Sequence, residues 1–116
     1  MYYKQLEVWQ KSMDLVEEIY KISKQFPKSE IYGLSSQIQR AAIAIPSNIA
    51  EGSKRNHKLE YIQFLSIANG SAAELETQLN LIKRLYSSID INKAESLLTE
   101  ILKMFSVLIR RLKSNT

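Results

Sequence analysis

The chain has no cysteine, one histidine, three glycines and two prolines in 116 residues. Without cysteine it has neither disulfides nor thiolate metal sites. A carboxylate-bundle di-iron site needs two Glu-x-x-His motifs, and His57 is the only histidine. The sequence also lacks a recognisable nucleophile motif and a glycine-rich phosphate loop. We therefore expect a protein that is not an enzyme, with no cofactor, no metal and no small-molecule substrate.

Long apolar runs are missing as well. No stretch approaches the roughly 18 apolar residues that a membrane span requires. Residues 1–7 do not combine a basic start with an apolar run, as a signal peptide would. The length and the 45% hydrophobic content fit one domain over residues 1–116. We expect a cytoplasmic protein that does not associate with a membrane.

Apolar residues recur at spacings of three and four in four segments, which is typical of helices that bury one face. The predicted helices cover about residues 6–26, a segment that ends at Gly52, about residues 57–86, and the segment after Asp90. Pro27 ends the first helix, and Ser29, Asn56 and Asp90 are the expected N-caps of the others. Short polar links join the helices. This pattern predicts an all-α, antiparallel, up-down-up-down four-helix bundle.

The second predicted helix contains Pro46. A proline inside a helix removes one backbone donor and clashes with the carbonyl four residues earlier, which costs about 3 kcal/mol. Ser47 and Asn48 have short polar side chains that can pair with the freed backbone groups. We therefore predict a kink at Pro46 rather than a break. Gly52 is expected to form a left-handed C-cap.

Charged and small residues near this segment are expected to support the kink. One of the acids Glu51, Glu74 and Glu76 is predicted to be buried near Pro46, paired with Arg40 or with freed backbone. Subunit contacts and a reactive role are the alternatives for these acids. The small residues 69–73 are predicted to mark the place where the second helix packs closely on the third.

Four segments of the chain resemble one known family. They are residues 6–15, 32–34 and 68–77, and the motif Ala-Ile-Pro-Ser-Asn-Ile-Ala-Glu-Gly at residues 44–52. Together they resemble the bacterial "four helix bundle protein" family, which includes proteins encoded in intervening sequences of 23S rRNA genes. The resemblance implies an antiparallel four-helix fold. Through similarity to accessory proteins of diversity-generating retroelements, it also implies a ring-shaped homopentamer with basic surfaces that face nucleic acid.

The first and fourth helices carry more apolar surface than one bundle needs. The first helix has two stripes, and we expect the one with Trp9 and Tyr20 to face the core. The other stripe contains Val8, Leu15, Ile19, Ile22 and Phe26. Large exposed apolar surfaces usually mark interfaces, so the pattern predicts self-association without fixing the number of subunits.

Basic residues form two clusters in a chain whose formal net charge is +4. An antiparallel order brings the loop after the second helix and the end of the fourth helix to the same end. We therefore expect positive charge to gather at that end and to bind RNA or a ribonucleoprotein with strong salt dependence. Solubility would explain the same charges, and a protein adaptor or assembly module is the alternative function. The candidate contacts are Lys54, Arg55, His57, Lys58, Arg110, Arg111 and Lys113.

Overall fold

The computed structural model describes residues 2–114, which form four α-helices and no strand. The longest helix has 28 residues, or about 42 Å at about 1.5 Å per residue. This is close to the longest dimension of the molecule, since the extents are 47 × 22 × 20 Å. The predicted all-α four-helix bundle is confirmed. The helices are α1 (Glu7–Ser23), α2 (Leu34–Ser53), α3 (Lys58–Leu85) and α4 (Asn92–Ser114), with short 3₁₀ segments at Tyr3–Gln5 and Lys28–Glu30.

The helices pack as a square in chain order. Each of α1 and α3 packs beside both α2 and α4, whereas within residues 2–114 no Cα atoms of the diagonal pairs lie within 8 Å of each other. Short connections make successive helices antiparallel. One end of the bundle therefore holds the starts of α1 and α3 and the ends of α2 and α4, and we call it the Lys54 end. The opposite end, which holds the start of α2, is the Gly33 end.

The core side of α1 is the stripe that contains Leu15, Ile19 and Ile22, all of which are buried. Trp9 is half-buried, and Tyr20 is 40% exposed. The prediction that the Trp9 and Tyr20 stripe faces the core is therefore wrong. Ser12 explains the error, because this polar residue lies on the core side, fully buried, and its hydroxyl donates to the Trp9 carbonyl at 2.8 Å.

Glu30 determines where α2 begins. Its Oε1 accepts the Leu34 backbone N–H at 3.3 Å, and its Oε2 accepts the Tyr86 hydroxyl at 2.5 Å. The Tyr86 ring also packs edge-on against Phe26, with centroids 5.2 Å apart. The hydrogen bond to Glu30 is the main reason that the pKa of Tyr86 is raised. This pair joins the α1–α2 connection to the end of α3, and the prediction of Ser29 as N-cap is wrong.

The other predicted caps differ in detail. The N-cap of α3 is His57 rather than Asn56, and no side chain caps it. Near the start of α4, Asp90 Oδ1 accepts the Asn92 backbone N–H at 2.9 Å. Asp90 therefore pairs with an amide of the first turn, although α4 begins at Asn92.

Helix α2 continues through Pro46 to Ser53, so the expectation that the proline does not break the helix is confirmed. Pro46 is buried, and Ser47 is exposed. The Asn48 side chain bonds the local backbone, but its Nδ2 donates to the Ala44 carbonyl at 2.7 Å rather than to the carbonyl that Pro46 frees. That carbonyl lies two residues after Ala42, whose carbonyl is the one that lacks the Pro46 N–H as a partner.

Gly52 permits a close approach of α2 to α3. A Cβ atom at this position would lie 2.6 Å from Phe64 Cβ and 3.1 Å from Tyr61 Cδ1. The described glycines have no positive φ, so the predicted left-handed C-cap at Gly52 is wrong. Gly70 is exposed, with nothing within 4 Å of the corresponding Cβ position. Gly70 itself therefore makes no close contact, and the tight contact at a glycine lies where α2 ends.

The predicted buried acid near Pro46 is also wrong. Glu74, Glu76 and Arg40 are all exposed. Glu51 is exposed as well and pairs with Arg55 at 3.0 Å. The core-facing positions of this part of α3 are taken by alanine and leucine, which leaves the glutamates on the solvent side.

Candidate nucleic-acid interface

The fold brings both predicted basic clusters to the Lys54 end of the bundle. Residues 2–7, 51–60 and 110–114 contain seven basic and three acidic residues, a net charge of +4. The acids are Glu7, Glu51 and Glu60. The basic residues are Lys4, Lys54, Arg55, Lys58, Arg110, Arg111 and Lys113.

The Gly33 end is equally basic. Residues 20–34 and 80–93 contain six basic and two acidic residues, again a net charge of +4. The remaining positions, along the middle of the bundle, hold seven acidic and three basic residues. The expectation that positive charge gathers at one end alone is therefore wrong. Net charge does not distinguish the two ends. They differ in the groups that surround each cation.

Lys54 is exposed and lies beside aromatic rings. Its Nζ is 5.6 Å from the centroid of the Tyr2 ring and 5.8 Å from that of Tyr3. Lys4 Nζ lies 5.7 Å from the Tyr2 ring. The short Tyr3–Gln5 segment packs on α1 and α2, and Tyr3 also meets Trp9, with centroids 5.5 Å apart.

Sequence reasoning missed Tyr2, Tyr3 and Lys4 as members of this surface. Three aromatic residues and a lysine within the first nine positions were the available signal. The missing information was that the segment before α1 packs against α2, beside the α2–α3 loop.

Arg55 is partly engaged. It pairs with Glu51 at 3.0 Å, and its guanidinium lies 4.9 Å from the centroid of the Phe64 ring. His57 is exposed at the N-cap of α3, and Lys58 is half-buried in the first turn. Because no side chain caps α3, its first-turn amides add partial positive charge beside His57 and Lys58. Arg55 offers less charge to a ligand than its position in the sequence suggests, because its guanidinium already pairs with Glu51.

The cations of α4 approach the start of α1. Arg111 and Lys103 border a groove of about 350 Å³ with Leu6, Glu7 and apolar residues of both helices. Arg110 and Lys113 are exposed near the end of α4. The second basic cluster thus lies on the other side of the α1 N-terminus from Tyr2 and Lys54.

A second apolar groove, of about 340 Å³, runs along α1 and α2 next to the aromatic residues. Met13 and Ile43 are each 42% exposed on its walls. We call this the α1–α2 groove. It is lined by Tyr3, Trp9, Met13, Val16, Ile43, Pro46, Ser47 and Ala50.

Residues 2–114 contain neither a cluster of metal ligands nor a membrane-spanning helix. No group of three or more His, Asp or Glu side chains in this range is arranged to hold a metal ion. No helix within the same range is long and apolar enough to cross a membrane.

The chain matches known proteins of undefined function. It is similar to a crystallised protein of unknown function from the S23 ribosomal protein family of Bacteroides thetaiotaomicron VPI-5482, with 29% identity and a TM-score of 0.76. The match covers 88% of this chain and 97% of the other. No curated protein matches. Residues 4–109 match the 23S rRNA-intervening sequence proteins, and the chain therefore belongs to that family.

Proposed function

We propose that the protein is a cytoplasmic, non-enzymatic helical bundle that self-associates and binds RNA, alone or in a ribonucleoprotein, through its Lys54 end. The observation that carries the proposal is the location of both basic clusters at one end of the bundle, the end that also holds the uncapped start of α3. The family connection to intervening sequences of 23S rRNA supports RNA as the polyanion.

The Lys54 end is favoured over the Gly33 end because of what surrounds its lysines. At the Gly33 end, Lys83 pairs with Glu95 at 2.7 Å, and Lys21 and Lys93 approach Glu18 at 3.9 and 3.8 Å. A phosphate arriving there meets carboxylates that already hold cations. At the Lys54 end, Arg55 is also paired, with Glu51 at 3.0 Å. Lys54 and Lys4, however, face aromatic rings, which bear no charge that repels a phosphate.

The expected signature is binding that weakens steeply with salt. For single strands, the slope of log K against log salt is about −0.7 per phosphate contacted, so four contacts give a loss of about 50-fold over a fourfold rise in salt. Removing two contacting cations should make that slope less negative by about 1.4.

A matched pair of double variants tests the location. We expect Lys54→Ala with Arg110→Ala to weaken RNA binding at least tenfold in fluorescence anisotropy at about 50 mM salt and to flatten the salt slope. Lys28→Ala with Arg84→Ala removes the same net charge from the Gly33 end and should change affinity by less than about threefold. Equal losses would mean that net charge alone drives binding. No RNA binding by the wild-type protein at low salt would contradict the proposal.

We assign self-association to the α1–α2 groove, with a second copy of the chain as its occupant and five subunits as the number that the family resemblance implies. Exposed Met13 and Ile43 on a continuous apolar surface support this assignment. Ile43→Lys should shift sedimentation at micromolar concentration towards the monomer. Leu81→Lys, at a similarly exposed position on α3, should not. A wild-type protein that sediments as a monomer would contradict the assignment.

A protein adaptor is the second candidate function. The apolar groove between the start of α1 and the end of α4 favours it, since Val8, Met104 and Leu108 form much of its lining. Failure of RNA binding, together with intact self-association, would make the adaptor the better account.

A further inference from the structure

Three aromatic rings form a continuous cluster at the Lys54 end. The Tyr2 and Tyr3 centroids are 5.0 Å apart, and those of Tyr3 and Trp9 are 5.5 Å apart. The rings are tilted or edge-to-face rather than parallel, so they do not cover one another's faces. Tyr2 is the outermost ring and is 49% exposed. Tyr3 and Trp9 are half-buried behind it and line the α1–α2 groove, whereas Tyr2 lies outside that lining and stays available when a second copy fills the groove.

Two lysines lie over this cluster. The Nζ atoms of Lys4 and Lys54 are 5.6–5.8 Å from the nearest ring centroids, inside the cation–π range but near its limit of about 6 Å. Such contacts hold a solvated lysine weakly, whereas a phosphate attracts it with a full charge. The lysines can therefore turn towards a phosphate without leaving the neighbourhood of the rings.

An aromatic surface bordered by lysines has the two elements that single-stranded nucleic acid requires. Unpaired bases stack on aromatic side chains, while the backbone phosphates meet cations alongside. In a duplex, each base face is covered by its neighbours, and only phosphates and groove edges are presented. A duplex would therefore use the lysines but not the rings.

We infer that the Tyr2–Tyr3–Trp9 cluster with Lys4 and Lys54 is a stacking site for unpaired bases, so that the ligand of the Lys54 end is single-stranded RNA. This inference rests on the proposed function and narrows its ligand. Tyr2 provides the stacking face. Tyr3 and Trp9 hold it in place, and the two lysines bind the phosphates on either side of the stacked base.

The test compares one RNA in two forms. The probes are a fluorescein-labelled, mixed-sequence RNA of about 20 nucleotides without self-complementarity and the same strand annealed to its complement, both at about 50 mM salt. Tyr2→Ala should weaken binding of the single strand roughly 5- to 150-fold, the equivalent of one lost stacked base. It should leave binding of the duplex within about twofold, because the duplex does not use the ring.

Two variants serve as controls. Tyr2→Phe keeps the ring and should bind the single strand as the wild-type protein does. Tyr32→Ala removes a tyrosine that is 95% exposed at the Gly33 end, and it should change neither affinity. Trp9 is the only tryptophan, so its emission reports directly on the cluster and should change with the single strand but not with the duplex.

The outcomes separate this inference from the proposed function. If the wild-type protein binds neither RNA, both are overturned. If both forms bind and Tyr2→Ala weakens them equally or not at all, the proposed function stands and the stacking site is overturned. Loss of single-strand binding in Tyr2→Phe would also overturn it, because the hydroxyl rather than the ring would then be responsible.

Discussion

The two glycines within helices, Gly52 in the last turn of α2 and Gly70 in the middle of α3, should respond to alanine with opposite signs. Gly70 lies on the exposed side of α3 with nothing within 4 Å of a would-be Cβ. At Gly52 the same atom would lie 2.6 Å from Phe64 Cβ and 3.3 Å from the Tyr61 carbonyl oxygen. Phe64 Cβ is attached directly to the backbone of α3, so a rotation of the Phe64 side chain does not relieve this contact. The helices themselves have to move apart.

The magnitudes follow from two terms. Replacing glycine by alanine inside a helix stabilises it by about 1 kcal/mol. At Gly70 only this term applies, so the Tm should rise by about 4 °C for a chain of this size. At Gly52 the added methyl group also overpacks a closed contact, which costs about 1–3 kcal/mol. Because backbone has to shift, we expect the upper part of that range and a net destabilisation of about 2 kcal/mol.

Far-UV circular dichroism during thermal and urea denaturation measures both variants against the wild-type protein. The denaturation midpoint should rise for Gly70→Ala and fall for Gly52→Ala, with unchanged m-values. Stabilisation by both substitutions would show that α2 and α3 are not in close contact at Gly52, and the account of this position would then be refuted. Gly70→Ala thus serves as the control for intrinsic helix propensity.

Two further substitutions test the polar groups that the bundle encloses. Tyr86→Phe should lower the Tm, because it removes the bond to Glu30 and keeps the ring against Phe26. The bond to Glu30 raises the folded-state pKa of Tyr86 above 10.0, so its stabilisation is present below that pH and is lost as the pH rises through the folded pKa. As the pH rises through that range, the Tm should therefore fall more steeply for the wild-type protein than for Tyr86→Phe. The same dependence of Tm on pH in both proteins would contradict this. Gln78→Met should raise the urea midpoint, because the buried Gln78 Oε1 has no hydrogen-bond partner and an unpaired buried acceptor costs about 1–3 kcal/mol. A lower midpoint would indicate that this oxygen is paired in solution.

The fold was predictable because the apolar spacing is strong in all four helices and few glycines or prolines interrupt it. Helix starts were less predictable, because distant residues decide them. Glu30 accepts a hydrogen bond from the hydroxyl of Tyr86, which lies 56 residues later in the chain. That contact orients the carboxylate that pairs with the first amide of α2, and local capping preference at Ser29 contains no information about it.

A buried polar residue accounts for the wrong prediction of which face of α1 is the core side. Ser12 is buried, because its hydroxyl is satisfied by the carbonyl three residues earlier in its own helix. Such a local bond lets a serine occupy a core position. Its presence made the true core stripe look weaker than the one with Trp9 and Tyr20.

The candidate interface was predictable only where the charges are dense along the sequence. The clusters at Lys54 and Arg110 stand out because their members are close together in the chain. The cations of the Gly33 end come from separate segments, so a linear reading did not group them. Tyr2 and Tyr3 were missed for a related reason, since their proximity to Lys54 depends on how the Tyr3–Gln5 segment packs on α2.

The Pro46–Gly52 segment influences the candidate interface through the position of the end of α2. Gly52 meets Phe64 Cβ, and the ring of the same Phe64 lies beside Arg55, three residues after the glycine. Lys54, between them, faces Tyr2 and Tyr3. A side chain at position 52 that pushes α2 away from α3 would also move Lys54 relative to those rings. We therefore expect Gly52→Ala, but not Gly70→Ala, to weaken single-strand RNA binding at a temperature where both variants are fully folded. If the two variants bind RNA equally while differing in Tm, the segment is architectural only and does not position the interface.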